Sequence, residues 1–525
     1  MESHIHPQNN PAQATAWQLS RIISQTYLLH IFGASLALSL AFMLFLRHLS
    51  PSIDAREPLP IWPRVPLVGH VLSLISHKSN FHLSLHQNNN LPIVTLPMLN
   101  GKMYVVYSPT LVTAAMKNEN ISLDPIAFGF NHYVQGSQKE TIEACARPEY
   151  NEKIMRMLHT SLMGDNLRAL NVPALRALVG DLNSLEAHDV RRIENLWEWV
   201  QKQTVRSAHE ALYGEKNPIT WKVWEDIRTW ADYMPTLALG FAQNTIASEG
   251  LAARQRAQEA LKPFYTHRYD QHATVSRLVA DRAKLLRDIG ILDTELATSE
   301  LFLPWVSVVN TAPAIMWLLC EVFAREDCVE RVAREVQNVV KVDSTKGKRK
   351  ATINVTKLGK DCDFLDRCFT ETMRRYNTVV GVRRVMEDTQ IQDLDGQVYL
   401  LKKGSDIQWT AGGAHRNVTA FGEDVLDWRP DRWCDPPFST SKFQRENMLT
   451  FGRGKHICPG RMIATLEAKA LVGVLALGYE VRGVSVPPEQ VQPLTEVLRT
   501  PVWEGGEVLI RKKKGWEDVE WVFDV

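Results

Sequence analysis

The sequence predicts a mainly α-helical protein with small β-sheets, which follows a single N-terminal transmembrane helix. Residues 26–46 contain no Asp, Glu, Lys or Arg, and a helix of that length crosses a bilayer core of about 30 Å. Behind them, stretches such as 194–214 and 328–340 show helical periodicity. The dipeptides Asn100-Gly101 and Asp395-Gly396 are typical of β-hairpin turns. They indicate small sheets near both ends of the body.

The apolar stretch is predicted to be a membrane anchor rather than a cleaved signal peptide. It is longer than the apolar region of a signal peptide, and no small-x-small cleavage site follows it. Arg47 and Arg56 follow the stretch, whereas Arg21 is the only strongly basic residue before it. This bias predicts that the body lies on the cytosolic side. We expect a tail at 1–25, the anchor at 26–46, a proline-rich linker at 47–70 and the catalytic body at 71–525.

Composition excludes several classes of function. The 60 basic and 59 acidic residues are interspersed and leave a formal net charge of +1, so no basic footprint for nucleic acid is present. The seven cysteines are odd in number and contain no Cys-x-x-Cys pair. A disulfide framework and a zinc knuckle are therefore not expected. The cysteine usage instead favours a reducing compartment.

One cysteine stands in an unusual segment, FGRGKHICPGR, at residues 451–461. Phe451, Gly454, His456, Cys458 and Gly460 form the pattern FxxGxHxCxG. Because glycine makes up only about 7% of residues in proteins, two glycines at these positions are rarely found around a cysteine by chance. The pattern resembles the cysteine-ligand loop of the cytochrome P450 family. The alternative is a buried cysteine in a glycine-rich loop.

The resemblance implies a cytochrome P450 fold and haem b as the cofactor, with the Cys458 thiolate as axial ligand of the iron. The two glycines remove Cβ atoms where the loop approaches a flat group. The helical run after Pro459 is expected to point N–H groups at the sulfur and stabilise its negative charge. By the same resemblance, His456 donates to a haem propionate and Phe451 packs near the sulfur.

Three charged residues match a second pattern of this family. Glu371 and Arg374 lie at i and i+3 in FTETMRRYN and share one helical face. Arg432 follows Pro430 in DWRPDRW, ahead of the cysteine loop. The resemblance implies that Glu371, Arg374 and Arg432 form a buried charged network that fixes the cysteine segment.

Contacts to the haem propionates are expected from two further places. The resemblance implies a contact from Arg384 or its neighbour Arg383, with a surface role as the alternative. Many relatives also carry a Trp-x-x-x-Arg contact on an early helix, but residues 146–164 contain no tryptophan. Arg156 or His159 is expected to take its place.

A distal helix is predicted over residues 301–323, with the sequence VVNTAP at its centre. The acid that most of the family carries here is absent, and Asn310 takes the place of the usual alcohol beside Thr311. Pro313 has no N–H, so the carbonyl of Val309 loses its helical partner and the helix must bend or open. Asn310 and Thr311 are therefore the candidate catalytic residues; the alternative is a plain proline kink.

The spacing WxxxxNTxPAxxW at 305–317 resembles the branch that contains the sterol and bile-acid hydroxylases and prostacyclin synthase. We expect a monooxygenase of the endoplasmic reticulum membrane that oxidises a lipophilic polycyclic substrate such as a steroid or terpenoid. No flavin or nicotinamide fingerprint is present, so electrons are expected from NADPH through a separate cytochrome P450 reductase. A reductase-independent isomerase or dehydratase of a lipid peroxide, and a non-catalytic haem or lipid binder, remain the alternatives.

Surface features give further expectations. Substrate contacts are expected from 122–140, from 234–242 and from the stretch after 483, and the apolar segment 234–242 either dips into the membrane or belongs to the core. Four basic residues are clustered before the cysteine, and they are either a docking face for an acidic reductase domain or a solvated surface. These residues are Lys442, Arg445, Arg453 and Lys455.

Overall fold

The structure is a computed structural model. It describes residues 32–45, 51–63, 65, 68–89, 91–98, 101–343, 349–434, 442–492 and 496–524. The predicted N-terminal tail, the two ends of the predicted anchor at 26–31 and 46, and Asn100 of the first predicted turn lie outside these residues.

The described chain is mainly helical, which confirms the predicted class. The α-helices are α1 Phe32–Phe45, α2 Gly69–His77, α3 Asn80–Asn89, α4 Pro109–Lys117, α5 Asp124–Gly129, α6 Lys139–Cys145, α7 Pro148–Ser161, α8 Gly164–Leu178, α9 Gly180–Asn183, α10 Leu196–Tyr213, α11 Trp221–Asp232, α12 Met234–Leu237, α13 Gln243–Ile246, α14 Ser248–Thr266, α15 Arg277–Asp288, α16 Asp293–Glu300, α17 Phe302–Val309, α18 Thr311–Phe323, α19 Glu326–Val339, α20 Val355–Lys360, α21 Asp363–Tyr376, α22 Ala411–His415, α23 Val418–Phe421, α24 Lys442–Asn447 and α25 Arg461–Gly478. A π-helical turn covers Phe130–Gln135.

The strands form small sheets. They are β1 Ile93–Met98, β2 Gly101–Val106, β3 Ile121–Ser122, β4 Arg191–Ile193, β5 Val340–Asp343, β6 Arg349–Asn354, β7 Val380–Val385, β8 Thr389–Gln392, β9 Val398–Leu401, β10 Asp406–Thr410, β11 Tyr479–Arg482, β12 Glu489–Gln490, β13 Thr500–Pro501, β14 Val508–Lys512 and β15 Val519–Asp524. The largest sheet has the order β1-β2-β10-β7-β3; the others are β11-β14-β4, β15-β6-β5, β12-β13 and β8-β9.

Both predicted hairpins are present. Strands β1 and β2 pair antiparallel with Met98 opposite Gly101. Strands β8 and β9 also pair antiparallel, and Gly396 in the turn between them has a φ of 87°. That left-handed conformation costs a residue without a Cβ little, so the Asp-Gly turn signal had a direct physical basis.

Side-chain caps define where several helices begin. Asn195 accepts a hydrogen bond from the N–H of Glu198 at the start of α10. Ser108 caps α4 in the same way, and Pro109 occupies the first helical position, where a missing N–H costs nothing. Thr220 and Ser276 cap α11 and α15.

The largest hydrophobic cluster surrounds α18 and α25. Residues 311–322 of α18 are buried, and so are residues 466–478 of α25. Helix α18 begins with the Thr-Ala-Pro part of the Asn-Thr-Ala-Pro motif. Helix α25 follows the cysteine loop. The core therefore holds both predicted functional segments in place.

The described residues contain one helical run, 293–323, that is long and apolar enough to cross a membrane. Most of it is buried inside the body, as in a core helix. Helix α1 lies within the predicted anchor and its side chains are exposed. At 14 residues its described part is shorter than a span requires.

Part of the predicted linker packs against the body. The N–H of Ile61 donates to the carbonyl of Thr95, and the N–H of Thr95 donates to the carbonyl of Leu59. Glu57 is buried, with its carboxylate 2.6 Å from Lys102 Nζ and 2.5 Å from Tyr104 Oη. Residues 57–61 therefore belong to the folded unit.

Candidate functional site

The cysteine loop lies between a short 3-10 turn, Gly454–His456, and helix α25. The N–H of Cys458 donates to the carbonyl of Phe451 at 2.9 Å and closes the loop. Gly454 has a φ of 67°, so a residue with a Cβ would be strained there. Phe451 is half-buried and packs against the main core, and His456 is also half-buried.

Opposing effects act on the Cys458 thiol. Burial dominates and raises its pKa, while the backbone N–H groups of Gly460 and Arg461 and the charge of Arg461 partly offset this rise. Gly460 and Arg461 stand at the start of α25, where donors to the sulfur are expected. These donors favour the thiolate, the form that binds a metal.

The space beside the two glycines of this loop is open. A Cβ on Gly454 would meet no atom within 4 Å, and a Cβ on Gly460 would have only Ile463 Cγ2 nearby, at 4.0 Å. Cys458 itself is half-buried rather than packed in the core. The residues present thus offer one sulfur ligand with stabilising N–H donors beside open space, as a haem iron requires. In the described part of the chain, no three His, Cys, Asp or Glu side chains gather as an alternative metal site.

The predicted charged network is present. Arg374 contacts both carboxylate oxygens of Glu371, at 2.8 and 2.9 Å, and Arg432 Nε lies 3.3 Å from Glu371 Oε1. All three side chains are fully buried. Trp433 Nε1 also donates to Glu371 at 3.1 Å. Every oxygen of the buried carboxylate therefore has partners, as burial of a charge demands.

The Arg432 guanidinium is enclosed by further acceptors. It contacts Asp424 Oδ1 at 2.6 Å and donates to the carbonyls of Phe421 and Asp424. The hydrogen bond from Arg432, and then its charge, lower the pKa of Asp424. Arg432 thus connects the segment 421–433 with the Glu371 helix.

The network reaches the cysteine loop through residues that the sequence analysis missed. Arg374 Nη1 donates to the carbonyl of His415, and His415 Nε2 accepts from the N–H of Leu449 at 2.9 Å. Asn377 Nδ2 donates to the carbonyl of Thr450, directly before Phe451. Burial and the charge of Arg374 lower the pKa of His415 to about 3, so it stays neutral. The only signal for these contacts in the sequence is that Asn377 lies three residues after Arg374.

The structure separates the two arginines of β7. Arg384 Nε lies 2.8 Å from Asp406 Oδ1, its directly opposite residue on β10, and the Arg384 side chain is 42% exposed. Arg383 lies over the Trp409 ring, and burial lowers its pKa. No described carboxylate lies within ion-pair distance of Arg383. The geometry therefore favours Arg383 over Arg384 as the group available to a haem propionate.

Arg156 and His159 both lie exposed on α7. His159 borders a cavity of about 230 Å³ whose lining also includes Pro459 and Arg461 of the cysteine loop, whereas Arg156 does not. Of the two expected substitutes for the missing tryptophan, only His159 therefore borders the cavity beside the cysteine loop.

The distal helix is broken where the sequence predicts. Helix α17 ends at Val309, α18 begins at Thr311, and Asn310 between them has a φ of −103°. The helix is thus interrupted three residues before Pro313, in the turn where the loss of the Pro313 N–H is expected to act. Thr311 is buried, and Asn310 Oδ1 accepts a hydrogen bond from the N–H of Val497 at 3.1 Å. Sequence reasoning had missed this contact.

Comparison with known proteins agrees with this geometry. The cytochrome P450 family profile matches residues 228–502. A cytochrome P450 monooxygenase of Gibberella zeae is 31% identical over 509 residues, covering 93% of this chain and 95% of the relative. The chain belongs to the cytochrome P450 family. It is accordingly a haem-thiolate monooxygenase, an enzyme whose iron takes a cysteine thiolate as axial ligand.

Other P450 relatives show the range of the family. The monooxygenase nodJ of Hypoxylon pulicicidum is 25% identical and covers 93% of this chain and 96% of its own length. The 25-hydroxycholesterol 7-alpha-hydroxylase of Rattus norvegicus is 23% identical over 287 residues, which cover 53% of this chain and 67% of the relative. The predicted relation to sterol hydroxylases is thus confirmed.

Two of the predicted surface groups have defined positions. Of the four basic residues near the cysteine, Arg445 is exposed and Arg453 is half-buried, with Arg453 donating to the carbonyl of Arg445. The side chains of Lys442 and Lys455 lie outside the description. In the segment 234–242, Met234 and Leu237 belong to the core, whereas Leu239 and Phe241 are exposed.

Proposed function

We propose that this P450 is a membrane-anchored monooxygenase that hydroxylates a lipophilic polycyclic substrate such as a steroid or terpenoid. It uses dioxygen and electrons from NADPH, delivered by a separate cytochrome P450 reductase. Residues 26–46 anchor it in the endoplasmic reticulum membrane, and the catalytic body at 71–525 faces the cytosol. Cys458 is the axial ligand of haem b.

The Cys458 loop carries this proposal. Its N–H donors and the open space beside its glycines suit a thiolate that approaches a flat cofactor. The bound haem supplies the oxygen chemistry, which the thiolate supports by donating electron density to the iron. His456 and Arg383 are the proposed propionate partners.

Glu371, Arg374 and Arg432 are the proposed supports of the loop. Their buried ion pairs, together with the contacts of His415 and Asn377, link the Glu371 helix, His415 and the Arg432 segment to residues 449–450. Such a network fixes a position because each member is costly to leave unpaired.

Asn310 and Thr311 are proposed to form the polar part of the distal groove. Asn310 Oδ1 already accepts a hydrogen bond from the N–H of Val497. The NH2 of the same side chain is therefore the group that is left to donate in the groove. Thr311 supplies a buried hydroxyl that can hold and pass on a proton. Neither residue is an acid, so their proposed roles are to orient groups and to relay protons between other donors and acceptors.

The surroundings of this groove support a lipophilic substrate. A cavity of about 230 Å³ borders the break, and its lining combines apolar residues such as Trp305 and Pro313 with charged residues such as Arg228 and Glu496. Apolar walls with a small number of placed polar groups suit an apolar molecule that carries polar substituents. The name of the rat relative, 25-hydroxycholesterol 7-alpha-hydroxylase, supports a polycyclic substrate.

Exposed apolar side chains support the membrane assignment. Helix α1 exposes Phe32, Phe42 and Phe45, and Leu239 and Phe241 are exposed on the body. Water-exposed groups of this kind favour contact with a lipid surface.

The test uses microsomes that carry the full chain together with a reductase. They are incubated with steroids, terpenoids and lipid peroxides under isotopically labelled dioxygen, with and without NADPH. Products that require NADPH and contain one labelled oxygen are expected. Unlabelled products formed equally without NADPH would instead identify an isomerase, and no product from any class would favour a binder.

Two cysteine variants provide the control for the iron ligand. Cys458→Ser is expected to abolish both turnover and the thiolate-type spectrum of the reduced carbon monoxide complex. Cys434→Ser changes an exposed cysteine and is expected to leave both unchanged. Persistence of the spectrum in Cys458→Ser would refute the ligand assignment.

A further inference from the structure

Three arginine side chains meet around one carboxylate beside the paired strands β12 and β13. The carboxylate of Glu489 lies 2.7 Å from Arg375 Nη1, 3.6 Å from Arg499 Nε and 4.0 Å from Arg416 Nη2. Glu489 begins β12, and Arg499 directly precedes β13. Arg375 lies in the last turn of α21, and Arg416 follows the end of α22. We call these four residues the arginine cluster.

The arginine cluster is separate from the cavity beside the Asn310 break. That cavity is lined by Gln490 and Thr500, which lie opposite each other in the strand pair. Glu489 and Arg499 are their direct neighbours in the chain, and adjacent residues of an extended chain point to opposite faces. None of the four residues of the cluster lines the cavity. The cluster therefore lies on the other face of the strand pair from the distal groove.

The arginine cluster carries an excess of positive charge. Three guanidinium groups face a single carboxylate, which leaves an excess of two positive charges. Arg374, the neighbour of Arg375, is already paired with Glu371 and does not change this count. Burial and the charge of Arg499 lower the pKa of Arg416 to about 10. Like charges at this spacing repel one another, and a bound anion relieves that repulsion.

Arg416 is the member of the cluster with the most unused donors. Its guanidinium group makes no hydrogen bond to any residue that the structure describes, and its ion-pair contact there is the one of 4.0 Å. By contrast, Arg375 Nε donates to the carbonyl of Leu426 at 2.7 Å. Arg499 Nη2 donates to Asn80 Oδ1 at 2.5 Å. An anion at the cluster can therefore take its hydrogen bonds chiefly from Arg416.

Two members of the cluster can be reached from water. The side chains of Arg416 and Arg375 are 24% and 20% exposed, whereas that of Arg499 is 5% exposed and adds its charge from behind. A guanidinium group presents its N–H donors in a planar fork that matches two oxygens of a phosphate. A phosphate monoester carries about −1.5 to −2 charges at pH 7, which balances the excess of the cluster.

Arg499 connects the cluster to the distal helix. Its N–H donates to the carbonyl of Tyr376 at 2.9 Å, and its own carbonyl accepts from Trp317 Nε1 at 2.7 Å. Two residues earlier, the N–H of Val497 donates to the side chain of Asn310. An anion that neutralises the cluster is therefore expected to steady the segment 496–500.

We propose that the arginine cluster is a binding site for a phosphate group, carried either by free phosphate or by a lipid head group. The phosphate lies against Arg375 and Arg416, with the charge of Arg499 behind them, and Glu489 competes with it. The site lies apart from the distal groove, and its occupation does not require turnover.

The test measures binding of inorganic phosphate to the full-length, haem-loaded protein in phosphatidylcholine nanodiscs. Equilibrium dialysis with radiolabelled phosphate gives the Kd, at constant ionic strength because salt screens exposed charges. Arg416→Gln is expected to weaken binding about tenfold, since it removes a charged donor. Glu489→Gln is expected to tighten binding about threefold or more, since it removes the competing negative charge. The haem spectrum of each variant checks that the fold is intact.

Arg482→Gln is the matched control. Arg482 is exposed, and its contact is with Glu480 rather than with the cluster. This variant loses the same charge as Arg416→Gln and should bind phosphate like the unaltered protein. The proposal is overturned if the unaltered protein binds no phosphate, if Arg416→Gln and Arg482→Gln have the same Kd, or if Glu489→Gln fails to bind more tightly.

A change of lipid distinguishes the two sources of the phosphate group. Nanodiscs that contain phosphatidate offer a lipid phosphate monoester, and nanodiscs with phosphatidylserine control for the charge of the membrane. Weaker binding of labelled phosphate in phosphatidate than in phosphatidylserine would support the site with the lipid head group as its ligand. Equal binding in both would support the site with free phosphate as its ligand.

Discussion

The side-chain oxygen of Asn310, at the break in the distal helix, accepts a hydrogen bond from the backbone N–H of Val497 at 3.1 Å. The Val497 carbonyl in turn accepts from the N–H of Thr378, just beyond the helix that carries Glu371. Trp317 Nε1 donates to the carbonyl of Arg499 at 2.7 Å. The segment 496–500 is therefore held between the distal helix and the region that supports the cysteine loop.

Replacing Asn310 is expected to loosen this segment. Asn310→Leu removes the acceptor and leaves the Val497 N–H unpaired, at a cost of about 1–3 kcal/mol. Amide hydrogen exchange at Val497 should become roughly tenfold faster or more. Asn310→Asp keeps an acceptor of the same shape and should retain slow exchange. Equal exchange in the Leu variant and the unaltered protein would show that Asn310 does not hold the segment.

Removal of Arg432 is expected to abolish haem incorporation rather than merely slow turnover. Arg432→Ala removes one of the two cations that neutralise the fully buried Glu371, and breaking a buried pair costs about 3–5 kcal/mol. The measurement is the ratio of haem to protein after purification. Arg511→Ala, which breaks an exposed pair with Glu480, is the control and should keep full haem. A full haem complement in Arg432→Ala would contradict the prediction.

Residue patterns predicted the parts of this site that lie on regular elements. The spacing of Glu371 and Arg374 placed both on one helical face, and Pro313 alone predicted the broken distal helix, because both follow from local backbone geometry. The links through His415 and Val497 were not predictable. They depend on how segments distant in sequence pack together, and local periodicity does not encode those contacts.

The choice between the two β7 arginines shows the same limit. Adjacent residues on a strand point to opposite faces, so only one of Arg383 and Arg384 can face a given group. The sequence gives no reason to choose between them. The choice became possible only when β10 placed Asp406 opposite Arg384.

Arg383 is expected to hold the haem more strongly than Arg384. Arg383→Leu removes a guanidinium with no described carboxylate partner, and loss of a charged hydrogen bond to a propionate should speed haem release about tenfold or more. Arg384→Leu breaks only the half-exposed pair with Asp406 and should change release less than about twofold. Haem transfer to apomyoglobin measures both rates. Faster release from Arg384→Leu than from Arg383→Leu would reverse the assignment.

Glu467 is expected to make stability depend on pH. This carboxyl is 2% exposed on α25, and burial raises its pKa to about 7 despite a contact with Ser207 Oγ. Ser207 Oγ also lies 2.8 Å from the carbonyl of Ala174. The single hydroxyl proton of Ser207 therefore goes to the Ala174 carbonyl. Ser207 Oγ then accepts a hydrogen bond from the protonated Glu467.

The direction in which stability changes with pH follows from the raised pKa of Glu467 in the folded protein. Between the unfolded pKa of 4.5 and the folded pKa of about 7 the folded state binds the extra proton, so its stability falls as pH rises through this window. The loss amounts to about 3 kcal/mol. Glu467→Gln is neutral at every pH and should remove this part of the slope, measured by urea unfolding between pH 4.5 and 8. Glu504→Gln, at an exposed position, should keep it. An unchanged slope in Glu467→Gln would show that Glu467 is not the group that titrates.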